Sequence, residues 1–245
     1  MFKQNTFKLW QLAMLVTLPS VLLACGDDTK EVIKEVEVIV EVPAPVPTPV
    51  DVSYQITVTN LTNAQPLSPV AVVLHASGNL WTVGGVPSVE LERMAEGGDN
   101  SGLLSLGLVS ASGTAAIGPG AQETINITIQ DKTDALLSVA SMLVNTNDAF
   151  SGLNAWTLSN LVVGDSWTTY VGVYDAGTEV NSELAGTIPG PADGGQGFNP
   201  LRTDTGFVAM HPGVVTSDDE FASSVLTSVH KFDNPALRIT VTRTE

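Results

Sequence analysis

Val139-Ala-Ser-Met-Leu-Val144 begins the stretch that decides the fold, and it is followed by the polar run Asn145-Thr-Asn-Asp-Ala-Phe-Ser-Gly152. The apolar run is typical of a buried strand, and the polar run is typical of a turn. Further along, Trp167-Thr-Thr-Tyr-Val-Gly-Val-Tyr174 alternates its side chains with period 2 and leads into Asp175-Ala-Gly-Thr-Glu-Val-Asn181. The stretch therefore predicts two strands that each end in an acidic turn.

The acidic side chains of these turns are Asp148 in the first and Asp175 and Glu179 in the second. If the two strands lie close together in a sheet, the three carboxylates meet at one rim and repel one another. A cation among them removes the repulsion, and carboxylate oxygens are ligands that calcium prefers. The pattern predicts a calcium site, although it is not an EF-hand loop. The alternative is a pair of ordinary turns in which the acids bond their own backbone.

Outside this stretch, residues 52–245 are rich in Val, Thr, Leu, Gly and Ser. Short runs of strand-forming residues alternate with clusters of Gly, Pro, Asn and Asp. This spacing predicts a single all-β domain, an antiparallel β-sandwich of the C2 or jelly-roll-like kind with one short helix. The predicted strands are 54–60, 70–75, 103–110, 123–130, 136–144, 156–161, 166–174 and 236–243.

The one predicted helix covers 88–96, where Ser88 is an N-cap and Gly97 is a stop signal. We expect this helix to lie across one end of the sandwich. Residues 186–197 contain Pro189, Pro191 and a Gly-Gly pair, and they predict a long loop near the acidic rim.

Residues 1–24 have the features of a lipoprotein signal peptide. Lys3 and Lys8 form a basic start, and residues 9–23 supply an apolar segment that is too short to span a bilayer. Leu22-Leu-Ala-Cys25 resembles a lipobox, so Cys25 is predicted to carry the lipid. Because Cys25 is the only cysteine, the mature protein is expected to contain no disulfide. The alternative is a secretory signal that is simply cleaved.

Residues 25–51 form the predicted linker. Gly26 after the cysteine favours sorting to the outer membrane over the inner membrane. In the segment 30–42, Val and Ile are interspersed with charged residues. In the segment 43–49, every second residue is proline. The proline-rich segment predicts an extended polyproline II spacer of ~20–25 Å. An alternative for the segment 30–42 is that it pairs as a strand with another protein or with itself.

The charge of the mature chain excludes nucleic acid as a partner. The full sequence carries a net charge of −16, and loss of Lys3 and Lys8 leaves eight basic against 26 acidic residues, a net charge of −18. Such a chain repels phosphate groups, including anionic lipid head groups. Its attachment to a membrane is therefore expected to depend on the lipid of Cys25.

The sequence of residues 139–181 resembles the spondin N-terminal (F-spondin) domain family, which includes modules of animal matrix proteins and bacterial lipoproteins. The likeness is carried by Ser141-Met-Leu-Val-Asn-Thr-Asn-Asp-Ala-Phe-Ser-Gly152 and by Tyr174-Asp-Ala-Gly-Thr-Glu179. It extends through Tyr54-Gln-Ile-Thr-Val-Thr-Asn-Leu-Thr62, His75 and Leu91-Glu-Arg-Met-Ala-Glu-Gly97, and so spans residues 52 to the C-terminus.

The resemblance implies a calcium-binding β-sandwich in which Asp148, Asp175 and Glu179 hold the ion. Glu179 departs from the family, which has Asp at this position in the animal modules; the longer side chain still reaches a hard cation. The implied function is adhesion. Thrombospondin-type repeats and the reelin-like module that accompany the domain in animals do not occur in this sequence, so no partner is transferred.

The sequence gives less support to a zinc site, a nucleophilic serine or a glycosylation site. His75, His211 and His230 lack the mutual spacing of a zinc site, and no Gly-x-Ser-x-Gly nucleophile motif occurs. Asn60-Leu-Thr62 and Asn126-Ile-Thr128 match glycosylation sequons, but polar strand residues are the expected role. Trp81, Trp156 and Trp167 are expected to pack in the core or at its rim. The alternative is an exposed ligand platform formed by Trp156 and Phe150, which flank the acidic turn.

Taken together, the sequence predicts a lipid-anchored protein of the cell envelope that displays a calcium-binding spondin-like sandwich to an extracellular protein or glycan. It is not expected to be an enzyme. Two alternatives stay open: an envelope-associated metal-dependent hydrolase, and a structural envelope lipoprotein without a ligand. A hydrolase requires an open water position on the ion beside a general base, whereas a site closed by protein oxygens favours a binding module.

Replacing Cys25 with serine is expected to leave an unprocessed or soluble precursor, because the only thiol that can accept the lipid is lost. Membrane fractionation and gel mobility of the Cys25→Ser protein measure this. Unchanged membrane association together with unchanged mobility would contradict the lipoprotein prediction.

Overall fold

The computed structural model describes residues 47–245. Within this range Pro49–Glu245 form one compact unit. The predicted signal peptide, the lipidated Cys25 and most of the predicted linker lie outside the described residues, and these parts of the interpretation stay predictions. No helix in the described range is long and apolar enough to cross a membrane.

Two antiparallel sheets make up the domain, and the predicted all-β sandwich is confirmed. The first sheet has four strands in the spatial order β4 (Gln122–Gln130), β1 (Asp51–Asn60), β10 (Leu237–Arg243) and β7 (Ser166–Val171). The second has six strands in the order β3 (Val109–Ser112), β2 (Ala71–His75), β5 (Leu136–Met142), β6 (Ala149–Thr157), β8 (Val173–Asp175) and β9 (Ala209–Met210).

The main hydrophobic core lies between the two sheets. Ile125, Ile127 and Ile129 of β4 are buried, whereas the polar residues between them are exposed, as the period-2 pattern predicts. Leu237, Ile239 and Val241 of β10 follow the same rule. The four-stranded sheet therefore has one buried face and one polar face in water.

The six-stranded sheet is covered on both faces. Strand β2 is buried along its whole length, with Val72 facing the main core and Val73 facing a second apolar cluster. That second cluster is closed by the helix α1 (Val89–Gly97), whose Leu91 and Met94 pack onto the sheet. A strand that is apolar on both faces needs such a cover, because the sandwich can bury only one face.

The helix α1 begins where the sequence predicts. Ser88 is the N-cap and accepts a hydrogen bond from the Leu91 N–H at 3.2 Å. The helix ends one residue later than expected, at a left-handed Gly98 with φ 69°. Its predicted place across one end of the sandwich is wrong, because its apolar side lies on the outer face of the six-stranded sheet.

Two predicted strands are misplaced. Within the predicted strand 103–110, Leu103 belongs to the short helix α2 (Ser101–Leu104), where it is buried in the cluster beneath α1. The predicted strand 156–161 instead begins at Ala149, inside the stretch expected to be a turn. Position 152 of this strand must be glycine, because a Cβ there would lie 1.9 Å from the Val139 carbonyl oxygen of the neighbouring strand.

The predicted strand 166–174 is divided between the two sheets. Its first part is β7 in the four-stranded sheet, and its last three residues are β8 in the six-stranded sheet. The chain changes sheet at Gly172, where a Cβ would lie 2.9 Å from Asn234 Oδ1, the atom that accepts the Val173 N–H. A period-2 pattern continues across this crossing, so it gives no sign of the break.

Asn60 of β1, in the first sequon, is fully buried and fixes the loop that follows the strand. Its Nδ2 donates to the carbonyl oxygens of Gln65 at 2.8 Å and Ile117 at 3.0 Å. Its Oδ1 accepts from the N–H of Thr62 at 3.0 Å and from its hydroxyl at 2.7 Å. These bonds confirm a polar structural role for this motif.

Asn60→Ala is expected to lower the free energy of unfolding by ~3 kcal/mol, because several buried groups lose their partners at once. The matched control is Asn126→Ala, in the second Asn-x-Thr motif, where the side chain is exposed and the expected change is within about 0.5 kcal/mol. Urea unfolding of residues 47–245, followed by circular dichroism, measures both. Equal losses in the two variants would contradict the assignment.

Candidate metal centre

The first acidic turn joins β5 to β6 and holds Asp148 in the interior. Thr146 closes the turn, since its Oγ1 donates to the Leu143 carbonyl at 2.6 Å and accepts the Ala149 N–H at 3.1 Å. Asp148 is the last residue before β6 and is 0% exposed. A charged side chain is rarely buried to this degree without a partner.

The second acidic turn follows β8 and lies against the first. Pairing of Ala149 with Asp175 brings the end of β8 beside the start of β6. Asp148 Oδ2 then accepts three hydrogen bonds from the second turn: the Thr178 N–H at 2.8 Å, the Thr178 hydroxyl at 3.2 Å and the Glu179 N–H at 3.1 Å. The structure thus brings together the two turns that the sequence predicted to meet.

Asp175 uses both carboxylate oxygens to fix the second turn. Its Oδ1 accepts the Gly177 N–H at 2.7 Å, and its Oδ2 accepts from Asn181 Nδ2 at 2.6 Å. Asn181 in turn contacts His211, whose Nε2 lies 3.2 Å from Asn181 Oδ1. Because the Gly213 N–H donates to Nδ1, the ring of His211 is neutral, and burial lowers its pKa to about 4.

Two carboxylate oxygens at the centre have no hydrogen-bond partner among residues 47–245. They are Oδ1 of Asp148 and Oε2 of Glu179, and both are buried. The other oxygen of Glu179, Oε1, accepts from Asn147 Nδ2 at 3.0 Å. An unpartnered buried carboxylate oxygen is costly, so each of these atoms is suited to accept a proton, a cation or an ordered water.

The pKa values of both acids are raised accordingly. Burial, and after it the charge of Asp175, raise the pKa of Asp148 to about 7, although three hydrogen bonds oppose the shift. Burial raises the pKa of Glu179 to about 7, with the charges of Glu96 and Asp148 adding to it. Near neutral pH the two carboxyls are therefore close to the balance between a bound proton and a negative charge.

Helix α1 supplies two further buried acids that sequence reasoning did not assign to the site. Glu96 is 1% exposed and accepts the Asn199 N–H at 2.8 Å, and burial raises its pKa. Glu92 is 2% exposed and pairs with Arg202 Nη2 at 2.7 Å, while its Oε1 is buried without a partner. The only available signal was their spacing of four, which places both on one side of a helix with apolar neighbours.

The predicted loop 186–197 lies against the acidic turns, as expected. The Ala192 N–H donates to Asn145 Oδ1 at 3.0 Å, and Asn147 Nδ2 lies 3.0 Å from Thr187 Oγ1. A Cβ at Gly190 would lie 2.3 Å from the Val144 carbonyl oxygen, so this residue must be glycine. The loop therefore packs directly against the first acidic turn.

Metal coordination by side chains alone is not complete at this site. Within residues 47–245, no group of three or more His, Cys, Asp or Glu side chains is arranged so that it could hold a metal ion. The two free oxygens come from Asp148 and Glu179, whereas Asp175 already accepts two hydrogen bonds. An ion here would need further oxygens from backbone carbonyls or water, which calcium accepts readily.

A serine lies beside a histidine in the six-stranded sheet, although the sequence contains no nucleophile motif. His75 donates through Nδ1 to the Ser77 carbonyl at 3.1 Å, so its Nε2 accepts from Ser138 Oγ at 2.9 Å. Ser138 is fully buried, and its Oγ also accepts the Ala155 N–H at 2.8 Å. This pair fixes Ala155, which has φ 53° in an irregular part of the β5–β6 pairing.

The aromatic residues do not form the platform left open by the sequence. Phe150 is fully buried, stacks on Tyr174 at 5.3 Å and contacts Trp81 edge to face at 5.2 Å. Trp156 stacks instead on Trp167, with ring centroids 4.0 Å apart, and both rings are half-buried. A joint platform of Phe150 and Trp156 is therefore wrong.

The chain matches no protein-family model, and no curated protein is significantly similar to it. The resemblance to the spondin N-terminal domain family stays a prediction that depends on the quoted motifs.

Without calcium, the free energy of unfolding is expected to fall as the pH rises from about 6.5 to about 8.5. The pKa values of Asp148 and Glu179 are about 7 in the folded state, against 3.8 and 4.5 ordinarily, so the folded state holds protons that the unfolded chain has lost. The window starts at the ordinary histidine pKa of 6.5 because His211, with its lowered pKa, has the opposite effect mainly at lower pH.

Urea unfolding in the presence of a chelator measures this dependence. The control is the double variant Asp148→Asn, Glu179→Gln, in which the slope should flatten because neither side chain titrates. A wild-type stability that rises across the window would contradict the raised pKa values.

Proposed function

We propose that this protein is a lipid-anchored binding module of the cell envelope, in which a calcium ion at the acidic turns stabilises a β-sandwich that presents a surface to an extracellular protein or glycan. The observation that carries the proposal is the pair of buried carboxylate oxygens, Asp148 Oδ1 and Glu179 Oε2, without hydrogen-bond partners. Neither side chain forms an ion pair with any Lys, Arg or His of the described residues.

The charge balance around the turns supports a cation. Glu92, Glu96, Asp148 and Asp175 are each at most 6% exposed, and Arg202 is the one basic side chain in the described range that pairs with any of them. His211 adds no positive charge because its ring is neutral. Several buried negative charges against one positive charge are unfavourable unless protons or a metal ion compensate them.

Calcium fits the donor set better than other common ions do. The candidate metal ligands around the centre are oxygens of carboxylates, amides, hydroxyls and carbonyls, and no cysteine is present among the described residues. Calcium takes six to eight oxygen ligands in irregular geometry, whereas magnesium requires a near-ideal octahedron. Asp148 and Glu179 would hold the ion. Direct coordination by Asp175, which the resemblance implies, remains a prediction.

The position of the centre supports a stabilising role for the ion. Asp148 is fully buried, Glu179 is half-buried, and the turns contact α1 and the loop 186–197. An ion at this place would join the sheet, the helix and the loop and would hold their surface in one conformation. A catalytic ion usually keeps a position open to substrate.

The function class comes from the predicted lipid on Cys25, the predicted spacer and the resemblance to an adhesion domain. These three features support display of the domain away from a membrane. The strongly acidic chain supports a neutral or basic ligand, because a polyanion would be repelled.

Calcium is expected to raise the melting temperature of residues 47–245. It binds the folded state and not the unfolded chain, so a hundredfold excess over the dissociation constant adds ~2.7 kcal/mol to the free energy of unfolding. For an extracellular module the constant is expected at about 10⁻⁴ to 10⁻³ M, and magnesium should have a much smaller effect. Differential scanning calorimetry with calcium, magnesium and chelator measures these shifts.

Variants locate the ion. Asp148→Asn should abolish the calcium response, because it removes the charge and keeps the shape, and Glu179→Gln should weaken it strongly. Glu179→Asp should retain the response. Asp165→Asn, at an exposed acid, is the matched control and should leave it unchanged. If calcium shifts the melting temperature of Asp148→Asn as much as that of the wild type, the ion binds elsewhere.

A further inference from the structure

Strand β4 is an open edge of the four-stranded sheet. It pairs with β1 on one side, and among residues 47–245 no strand pairs with its other side. β4 has nine residues, whereas the edge strands β3 and β9 of the other sheet have four and two. A long edge with free backbone groups is a ready site for another strand.

The hydrogen bonds at the two ends of β4 show which of its backbone N–H and C=O groups point toward the open edge. The Asp131 N–H donates to the Val50 carbonyl, and the Asn60 N–H donates to the Ala121 carbonyl. In an antiparallel pair, alternate residues face the partner strand, so the odd-numbered residues of β4 face β1. The residues that turn N–H and C=O toward the open edge are Gln122, Thr124, Asn126, Thr128 and Gln130.

The edge carries no exposed charge. The single charged residue of β4 is Glu123, which lies on the inward side of the strand, where its Oε1 accepts the N–H and the hydroxyl of Thr114 at 2.7 Å. The chain as a whole has a net charge of −16. A neutral edge on an acidic protein is a place where two copies can approach without direct repulsion.

The sequence of β4 reads almost the same in both directions about Asn126. Gln122-Glu-Thr-Ile-Asn-Ile-Thr-Ile-Gln130 has Thr, Ile and Gln at equal distances on either side of the central Asn, and the single mismatch is Glu123 against Ile129. A strand that pairs with a second copy of itself around a two-fold axis places each residue opposite its mirror position. The palindrome therefore makes every outward residue face one of its own kind.

We propose that β4 of one molecule pairs antiparallel with β4 of a second copy of this chain, around a two-fold axis at Asn126, and joins two four-stranded sheets into one of eight strands. Asn126 would exchange two backbone hydrogen bonds with Asn126 of the partner subunit, and Thr124 would do so with Thr128 of the partner subunit. The apolar sides of the two sheets lie on the same side of the joined sheet.

The side chains on the polar face already form the ladders that this pairing would extend. Thr124 bonds Thr57 of β1 at 2.9 Å, and Asn126 bonds Gln55 at 3.2 Å. Opposite Thr–Thr and amide pairs across a strand junction are favourable. The same cross-strand chemistry would thus continue from one molecule into the next.

Cross-linking on membranes that carry the full chain tests the geometry. Residues opposite each other in such a pair have Cα atoms ~5.5 Å apart, within the range that a disulfide spans. Asn126→Cys should therefore give a disulfide-linked dimer under mild oxidant. The unmodified chain, which has Cys25 alone, reports the background, and Thr168→Cys on the opposite edge strand β7 is the matched control. Equal cross-linking of the two variants would overturn the proposal.

A charge variant tests whether the pairing drives association. Asn126→Lys places two like charges opposite each other on the axis and should weaken dimerisation by about tenfold or more in sedimentation velocity of the detergent-solubilised full chain. Thr168→Lys adds the same charge to the same face of the sheet and should leave dimerisation unchanged. A monomeric wild type, or a dimer that Asn126→Lys leaves intact, would overturn the proposal. Circular dichroism checks that each variant is folded.

Discussion

The burial of one carboxylate, that of Asp148, is the constraint on which the rest of the acidic centre depends. One of its oxygens accepts three hydrogen bonds from the second turn, and the other is left without a partner. The paired strands β6 and β8 place the two turns side by side, and the hydrogen bonds to the first oxygen hold the turns together. The second oxygen requires a proton or a cation, because no described side chain donates a hydrogen bond to it.

This requirement arises from the way in which the layers pack. The six-stranded sheet is apolar on both faces, and the helix α1 covers the face that the sandwich leaves open. The same helix carries Glu92 and Glu96 into the interior beside the turns. Buried acids from the helix and from the strand ends therefore share one region of low dielectric, where like charges interact strongly. A bound cation would turn this repulsion into attraction among three elements.

The two sheets present different surfaces for physical reasons that follow from their positions. The four-stranded sheet has one face in water, and most side chains of that face are hydroxyls and amides bonded across strands, such as Thr168 to Thr240 at 2.9 Å. The charged residues Asp51 and Arg238 lie on the same face, where they bond Gln130 and Thr59. The acids lie at the seam between the other sheet, the helix and the loop. The open edge of β4 and the acidic seam share no residues, so the proposed self-association and the proposed metal binding can occur independently.

The sequence alone determined the fold class and the presence of an acidic turn at the end of each of two strands, and the pairing of β6 with β8 decided that these turns meet. Alternation in β4 and β10 fixes which residues enter the core, and the Ser88 cap fixes the start of the helix, because both signals are local. Tertiary structure alone decided that Asp148 is fully buried and that Glu96 lies beside the acidic turns. It also decided that both carboxylate oxygens of Asp175 accept hydrogen bonds from its own turn. It also decided that the chain crosses between sheets at Gly172. Those features depend on contacts between segments far apart in sequence, and neither period nor composition encodes the burial of a charge by a distant helix.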